Sequence, residues 1–99
     1  MFIPENINDI YYVEYDKLIN LLKRKGATPE KYAELIDILR FFEKKQDSMN
    51  IDELKILKNV LLITDGILNK AVPNRKLHKE QKEECKKIYT LIKNKNLLK

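Results

Sequence analysis

Apolar residues along this chain recur at the spacing of one helical face in four separate stretches, and that pattern predicts four helices. In the first stretch, Tyr11, Tyr15, Leu18, Ile19 and Leu22 follow at i, i+4, i+7, i+8 and i+11, which puts them on one side of a helix. Asn8 or Asp9 is placed to cap it, because a short polar side chain can accept from the backbone N–H groups that a first turn leaves free. Lys23, Arg24 and Lys25 suit the negative end of the helix dipole, and Gly26, free to adopt a left-handed conformation, is the expected stop. Thr28-Pro29-Glu30 supplies a capping hydroxyl, a proline already fixed at helical φ and an acid for the first turn, so a second helix starts at Pro29. Its stripe is Tyr32, Leu35, Ile36, Leu39 and Phe42, widened by Ile38 and Phe41, which predicts contact with two neighbours. The polar stretch Lys44 to Asn50 breaks the periodicity and reads as a connection.

Asn50 with Glu53 three residues later has the form of a capping box and opens a third helix. Leu54, Leu57, Val60, Leu61, Ile67, Leu68 and Ala71 give that helix the broadest apolar surface, as expected of the most buried member of a bundle, and Pro73 ends it. Within it, Gly66 costs about 1 kcal/mol relative to alanine, which implies a break or a closely packed neighbour; an unbroken helix is the expectation. Leu77, Gln81, Cys85, Ile88 and Ile92 trace a narrower stripe on a fourth, more solvated helix. Met1 to Ile7, with Phe2, Ile3 and Pro4, reads as an extended arm, and Lys93 to Lys99 as a frayed tail. The predicted architecture is one all-α domain spanning residues 1–99, an antiparallel, up-down four-helix bundle.

Composition agrees with a single folded core. The chain has 99 residues, 43% of them hydrophobic and 35% charged, with two glycines and three prolines, which is not the make-up of a disordered segment. One cysteine, Cys85, cannot close an intramolecular disulfide, and the first residues lack the charged, apolar and small-residue order of a secretory signal; both predict the cytoplasm. The longest apolar runs, such as Val60 to Ile63, fall far short of the roughly 20 residues needed to cross a bilayer. Net charge is +5 but unevenly spread: residues 1–69 hold 10 Lys/Arg against 12 Asp/Glu, and residues 70–99 hold 10 against 3. That asymmetry favours an anionic partner for the C-terminal third, whether acidic protein, lipid headgroup or nucleic acid.

Little in the sequence points to catalysis. A hydrolytic or metal site needs several converging ligands or acid–base groups, whereas the chain offers one histidine, one cysteine and no glycine-rich phosphate loop. His78 and Cys85 lie two helical turns apart, too few ligands to hold a metal by themselves. No catalytic residues, metal, cofactor or small-molecule substrate are therefore expected, and Cys85 is read as a small core residue. Nucleic-acid binding stands as the alternative function, that of a small basic regulator. Against it, Tyr15, Tyr32 and Phe42 fall on core stripes, the basic third holds only Tyr89, and no tight glycine-containing turn joins the last two helices. Autonomous membrane binding is not expected, because the apolar face of the fourth helix is thin and Leu77, Ile88 and Ile92 are already committed to the core, which leaves only weak attraction by charge.

The layout resembles the immunity proteins of class IIa (pediocin-like) bacteriocins, in particular the enterocin A-like group. The resemblance is carried by Tyr32-Ala33-Glu34-Leu35-Ile36-Asp37-Ile38-Leu39 after a short polar turn and by the connection from Asn69-Lys70 to Leu77. His78-Lys79-Glu80-Gln81 and a Lys/Glu-rich last helix complete it, so that it covers roughly residues 10–92. It implies a small basic cytosolic four-helix bundle, acting at the inner face of the membrane. Such a protein protects a producing cell by binding a bacteriocin already engaged with membrane components of a mannose phosphotransferase transporter, without catalysing a reaction. The resemblance also assigns specificity to the C-terminal half, here Asn74, Arg75, Lys76, Leu77 and the fourth-helix surface of Lys79, Lys82, Lys86 and Lys93. Several members carry a longer, aromatic-containing C-terminal tail than this chain has after its last helix.

Overall fold

The structure, a computed structural model, describes residues 8–24, 28–70 and 76–97, with only the backbone described for residues 70, 76–78, 96 and 97. Four helices follow in order: α1 Asp9–Lys23, α2 Pro29–Lys45, α3 Ile51–Lys70 and α4 Lys76–Leu97, with a single 3-10 turn, Gln46–Ser48, after α2. No strand occurs among the described residues. The fold is all-α, as the four stripes predict. The arm Met1–Ile7, Gly26, Ala71 and Pro73 lie outside the described residues.

Each helix start is built as its local sequence demands. Asn8 caps α1, its Oδ1 accepting from the Ile10 N–H at 3.1 Å. Thr28 Oγ1 accepts from the Lys31 N–H at 3.2 Å, with Pro29 in the first helical position. At α3 the capping box closes in both directions: the Glu53 N–H donates to Asn50 Oδ1 at 2.9 Å, and the Asn50 N–H donates to Glu53 Oε1 at 3.0 Å. Glu53 then does something no local motif announces. Its second oxygen accepts from the backbone N–H of Asn8 at 3.0 Å, so one nearly buried carboxylate terminates two helices and fastens the start of α1 to the start of α3.

Three local expectations are corrected. α1 stops at Lys23, ahead of Gly26, because Arg24 turns into an extended conformation. There its carbonyl accepts from the buried Lys31 Nζ at 2.7 Å and its guanidinium meets Glu34 at 3.1 Å. The stretch from Lys44 to Asn50 is not a plain polar link: α2 continues to Lys45, and Gln46 and Met49 are buried. At the other end, helical backbone runs through Leu97 where fraying was expected from Lys93, and Lys95 Nζ reaches Asp47 at 2.7 Å.

The helices alternate in direction along the chain, yet the broadest contacts join α2 to α4 and α1 to α3. Tyr11 near the start of α1 packs on Phe41 and Phe42 near the end of α2, while Arg24 lies by Lys31 and Glu34, so α1 and α2 are antiparallel. Tyr32 meets Cys85, and Asp47 meets Lys95, so α2 and α4 run the same way. Around the bundle the order is therefore α1, α2, α4, α3, and each of the two most extensive seams joins helices that are not consecutive in sequence. Of the four, α2 and not α3 is the hub: Tyr32, Leu35, Ile38, Leu39 and Phe42 are all buried, against α1 on one side and α4 on the other. On α3, Leu57, Val60, Ile67 and Leu68 face inward, but Leu54 and Leu61 are half-buried and Leu62 is 71% exposed. A wide apolar face reports how many neighbours a helix could cover, not which helix the connections put in the middle.

α3 passes through Thr64-Asp65-Gly66 without a break. Thr64 is buried with its hydroxyl donating to the Val60 carbonyl at 2.7 Å. Close packing does not explain the glycine either, since a Cβ at Gly66 would meet nothing within 4 Å. Gly66→Ala should therefore raise the unfolding free energy by about 0.5–1 kcal/mol, measured by urea denaturation, through reduced chain entropy in the unfolded state. Glu53→Ala should lower it by about 2–3 kcal/mol, because it leaves the N–H groups of Asn8 and Asn50 without their acceptor. Glu53→Gln, which keeps one accepting oxygen, should fall between.

Candidate docking surface

The fourth helix owes its orientation to three inward residues, Cys85, Ile88 and Ile92, which are 0%, 7% and 0% exposed. Cys85 Sγ donates to the Tyr32 carbonyl at 3.7 Å, and two rim pairs, Arg40–Glu84 and Lys95–Asp47, each at 2.7 Å, flank the seam. Those pairs are exposed and add little stability, but they mark the side of α4 that faces α2. The side opposite Glu84 is where the lysines gather. Lys79, Lys82, Lys86 and Lys93 stand at i, i+3, i+7 and i+14, a spacing that places all four along one flank of the helix. Lys79, Lys86 and Lys93 are exposed and Lys82 is half-buried.

Lys86 Nζ is 3.7 Å from Glu83, an exposed pair at the edge of the flank, and Lys93 Nζ sits 5.7 Å from the centre of the half-buried Tyr89 ring. Glu80 and Glu84 lie on the flank toward α2 together with Lys87 and the 59% exposed Leu91, and Glu83 lies between the two. The sequence-predicted residues thus divide into three groups. Lys79, Lys82, Lys86 and Lys93 are brought onto one surface; Lys76 and Leu77 belong to the first turn of α4, with their side chains outside the described residues; Asn74 and Arg75 also lie outside them. What sequence reading left out is that Glu80 and Glu84 lie on the other flank of α4 from these four lysines, a signal present in the i, i+3, i+7 spacing but given meaning only once the inward face is known.

Elsewhere the described residues hold no group of three or more His, Cys, Asp or Glu side chains able to bind a metal. The side chain of His78 lies outside them. A groove between α1 and α2 is lined by Glu14, Lys17, Asn20, Arg24, Glu34, Asp37 and Ile38. Its cations are engaged, Lys17 with Glu14 at 2.9 Å and Arg24 with Glu34 at 3.1 Å. No described helix is long and apolar enough to cross a membrane.

Two buried groups in the α2–α4 seam are chemically quiet. Burial, helped by the neighbouring Glu84 carboxylate, pushes the Cys85 thiol up to about 12, and burial likewise raises the Tyr32 phenol, whose hydroxyl has no hydrogen-bond partner among the described residues. The thiolate is the reactive form, so Cys85 stays inert in the folded protein. The fold and its one-sided cationic helix define a small helical bundle with a candidate docking face. Comparison with known protein families, with curated proteins and with solved structures yields no match that would narrow this class further.

Native protein at pH 8 should react with a thiol reagent only as fast as it unfolds, while urea-unfolded protein reacts at once; rapid native labelling would show that the seam opens. Because the folded thiol ionises later than the unfolded one, its contribution to stability is fully present below the ordinary thiol pKa. That contribution is lost between about 9 and about 12, falling as pH rises.

Proposed function

We propose that this chain is a binding protein whose cationic α4 flank docks on an anionic partner, and that the specific form of this activity is bacteriocin immunity. The observation that carries the first part is the gathering of Lys79, Lys82, Lys86 and Lys93 on one side of α4, away from Glu80 and Glu84. Lysines on the opposite side of the same helix would be neutralised by those acids; on this flank, which Glu83 borders at 3.7 Å from Lys86, the fields of the lysines add. The second part rests on the resemblance of helix layout and of the α3–α4 hairpin to class IIa immunity proteins. Protection then comes from occupation: the protein binds, from the cytoplasmic side, the mannose phosphotransferase components that hold the bacteriocin, and keeps that complex from permeabilising the membrane. No covalent step is involved. The chain's task is to present a rigid charged face, and the buried seam of α4 on α2 supplies the rigidity.

Expression of the chain in a bacteriocin-sensitive lactic acid bacterium should protect it against one or more members of a panel of pediocin-like peptides. Replacement of Lys79, Lys82, Lys86 and Lys93 by glutamine should abolish that protection while leaving the helical circular-dichroism spectrum and the urea midpoint nearly unchanged, since surface substitutions of this kind cost within about 0.5 kcal/mol. Unaltered killing by the whole panel would refute the immunity reading, and full protection by the glutamine variant would remove the flank from it.

A further inference from the structure

Among the described residues the cationic flank of α4 runs along one side of a continuous helix and is built from lysine, and these properties select among anionic partners. From Lys79 to Lys93 is 14 residues, about 21 Å of helix at 1.5 Å per residue. We propose that this flank lies on the headgroups of an anionic lipid surface, which deepens the docking role argued above and rests on the same face of α4. A plane touches one side of a helix and no more. A nucleic-acid groove encloses a helix on both sides and would bring Glu80, Glu83 and Glu84 against phosphates, where like charge repels. An acidic protein that bound specifically would need a buried aromatic or arginine anchor at the centre of its contact, and lysine is depleted from such centres. Here the ring at the flank among the described residues, Tyr89, is half-buried and already has Lys93 over it. Lysine is also a compact, strongly hydrated point charge on a flexible stem, without the planar fork of arginine, and suits diffuse attraction to mobile headgroups better than fixed bidentate recognition.

Attraction of this kind strengthens by about five-fold in partitioning for each lysine near an anionic leaflet and is screened by salt. The full chain should therefore co-sediment at low salt with vesicles of phosphatidylcholine containing roughly one third phosphatidylglycerol, and not with phosphatidylcholine alone. The variant with Lys79, Lys82, Lys86 and Lys93 replaced by glutamine should bind at least about a hundred-fold more weakly. A charge-matched variant with Lys17, Lys44, Lys55 and Lys58 replaced by glutamine should lose far less, and both should retain wild-type helicity. Equal loss in the two variants would reduce the effect to net charge and overturn the inference, as would absence of binding to the anionic vesicles. Tighter binding to duplex DNA than to vesicles, lost in the α4 variant, would overturn it in favour of a nucleic acid. Protection that depends on the four lysines in a chain that ignores vesicles would leave the immunity reading standing and sink the lipid surface. Vesicle binding by a chain that protects against nothing would do the reverse.

Discussion

The seam between α2 and α4 is the contact on which the outward character of the molecule depends, because it decides how the last helix is rotated about its own axis. Cys85, Ile88 and Ile92 are turned into the core against Tyr32, Leu35 and their neighbours, and that single choice fixes every other position on α4. Rotating the helix by a third of a turn would bury lysines or expose isoleucines, and the desolvation of an ammonium group or the exposure of an apolar side chain opposes either move. The rim pairs to Arg40 and Asp47 follow from the seam and do not create it. So does the cationic flank, which is simply the part of α4 left outside once its apolar stripe is covered.

A few polar groups inside the bundle add definition that apolar packing alone would not. Glu53 accepts from the first residues of two helices and so fixes where α1 begins relative to α3. Burial first, and then its charge, raise the Tyr11 phenol above its ordinary value, opposed by a side-chain hydrogen bond with Ser48. Tyr11, Phe41 and Phe42 close the same end with ring centres 5.3–6.1 Å apart, in tilted, stacked and edge-on pairs. Lys31 is buried along its stem but spends its charge on the Arg24 carbonyl at the C-terminal end of α1, where the helix dipole is negative. By contrast, Tyr32 Oη and Gln81 Oε1 are buried without partners among the described residues. Those two atoms sit on the helices that form the principal seam, which is held by its apolar residues and not by a polar network.

The proposed docking role uses the bundle as a mount. Helices capped at the starts of α1, α2 and α3 and pressed together with α4 by a continuous core present a surface whose charges keep their spacing, so that four weak attractions act as one multivalent contact. The same economy explains why a quiet thiol and a phenol without a partner among the described residues are tolerated in the interior: neither is asked to react, and both fill space in the seam between α2 and α4.

Much of this was legible in the residues alone. Helical periodicity fixed the number and kind of elements, and the start signals were correct because capping is local: Asn8, Thr28, and Asn50 with Glu53 each satisfy N–H groups within three residues. The positions that face inward on α2 and α4 were also readable, since Tyr32, Leu35, Leu39, Phe42, Cys85, Ile88 and Ile92 follow the 3.6-residue period whatever they pack against. Tertiary structure alone decided which helix became the hub, which helices lie side by side, the second bond of Glu53 across 45 residues and the burial of Met49. Each of these depends on the three-dimensional path of the connections and on contacts distant in sequence, and a one-dimensional pattern carries the direction in which a side chain points but not the identity of what it meets.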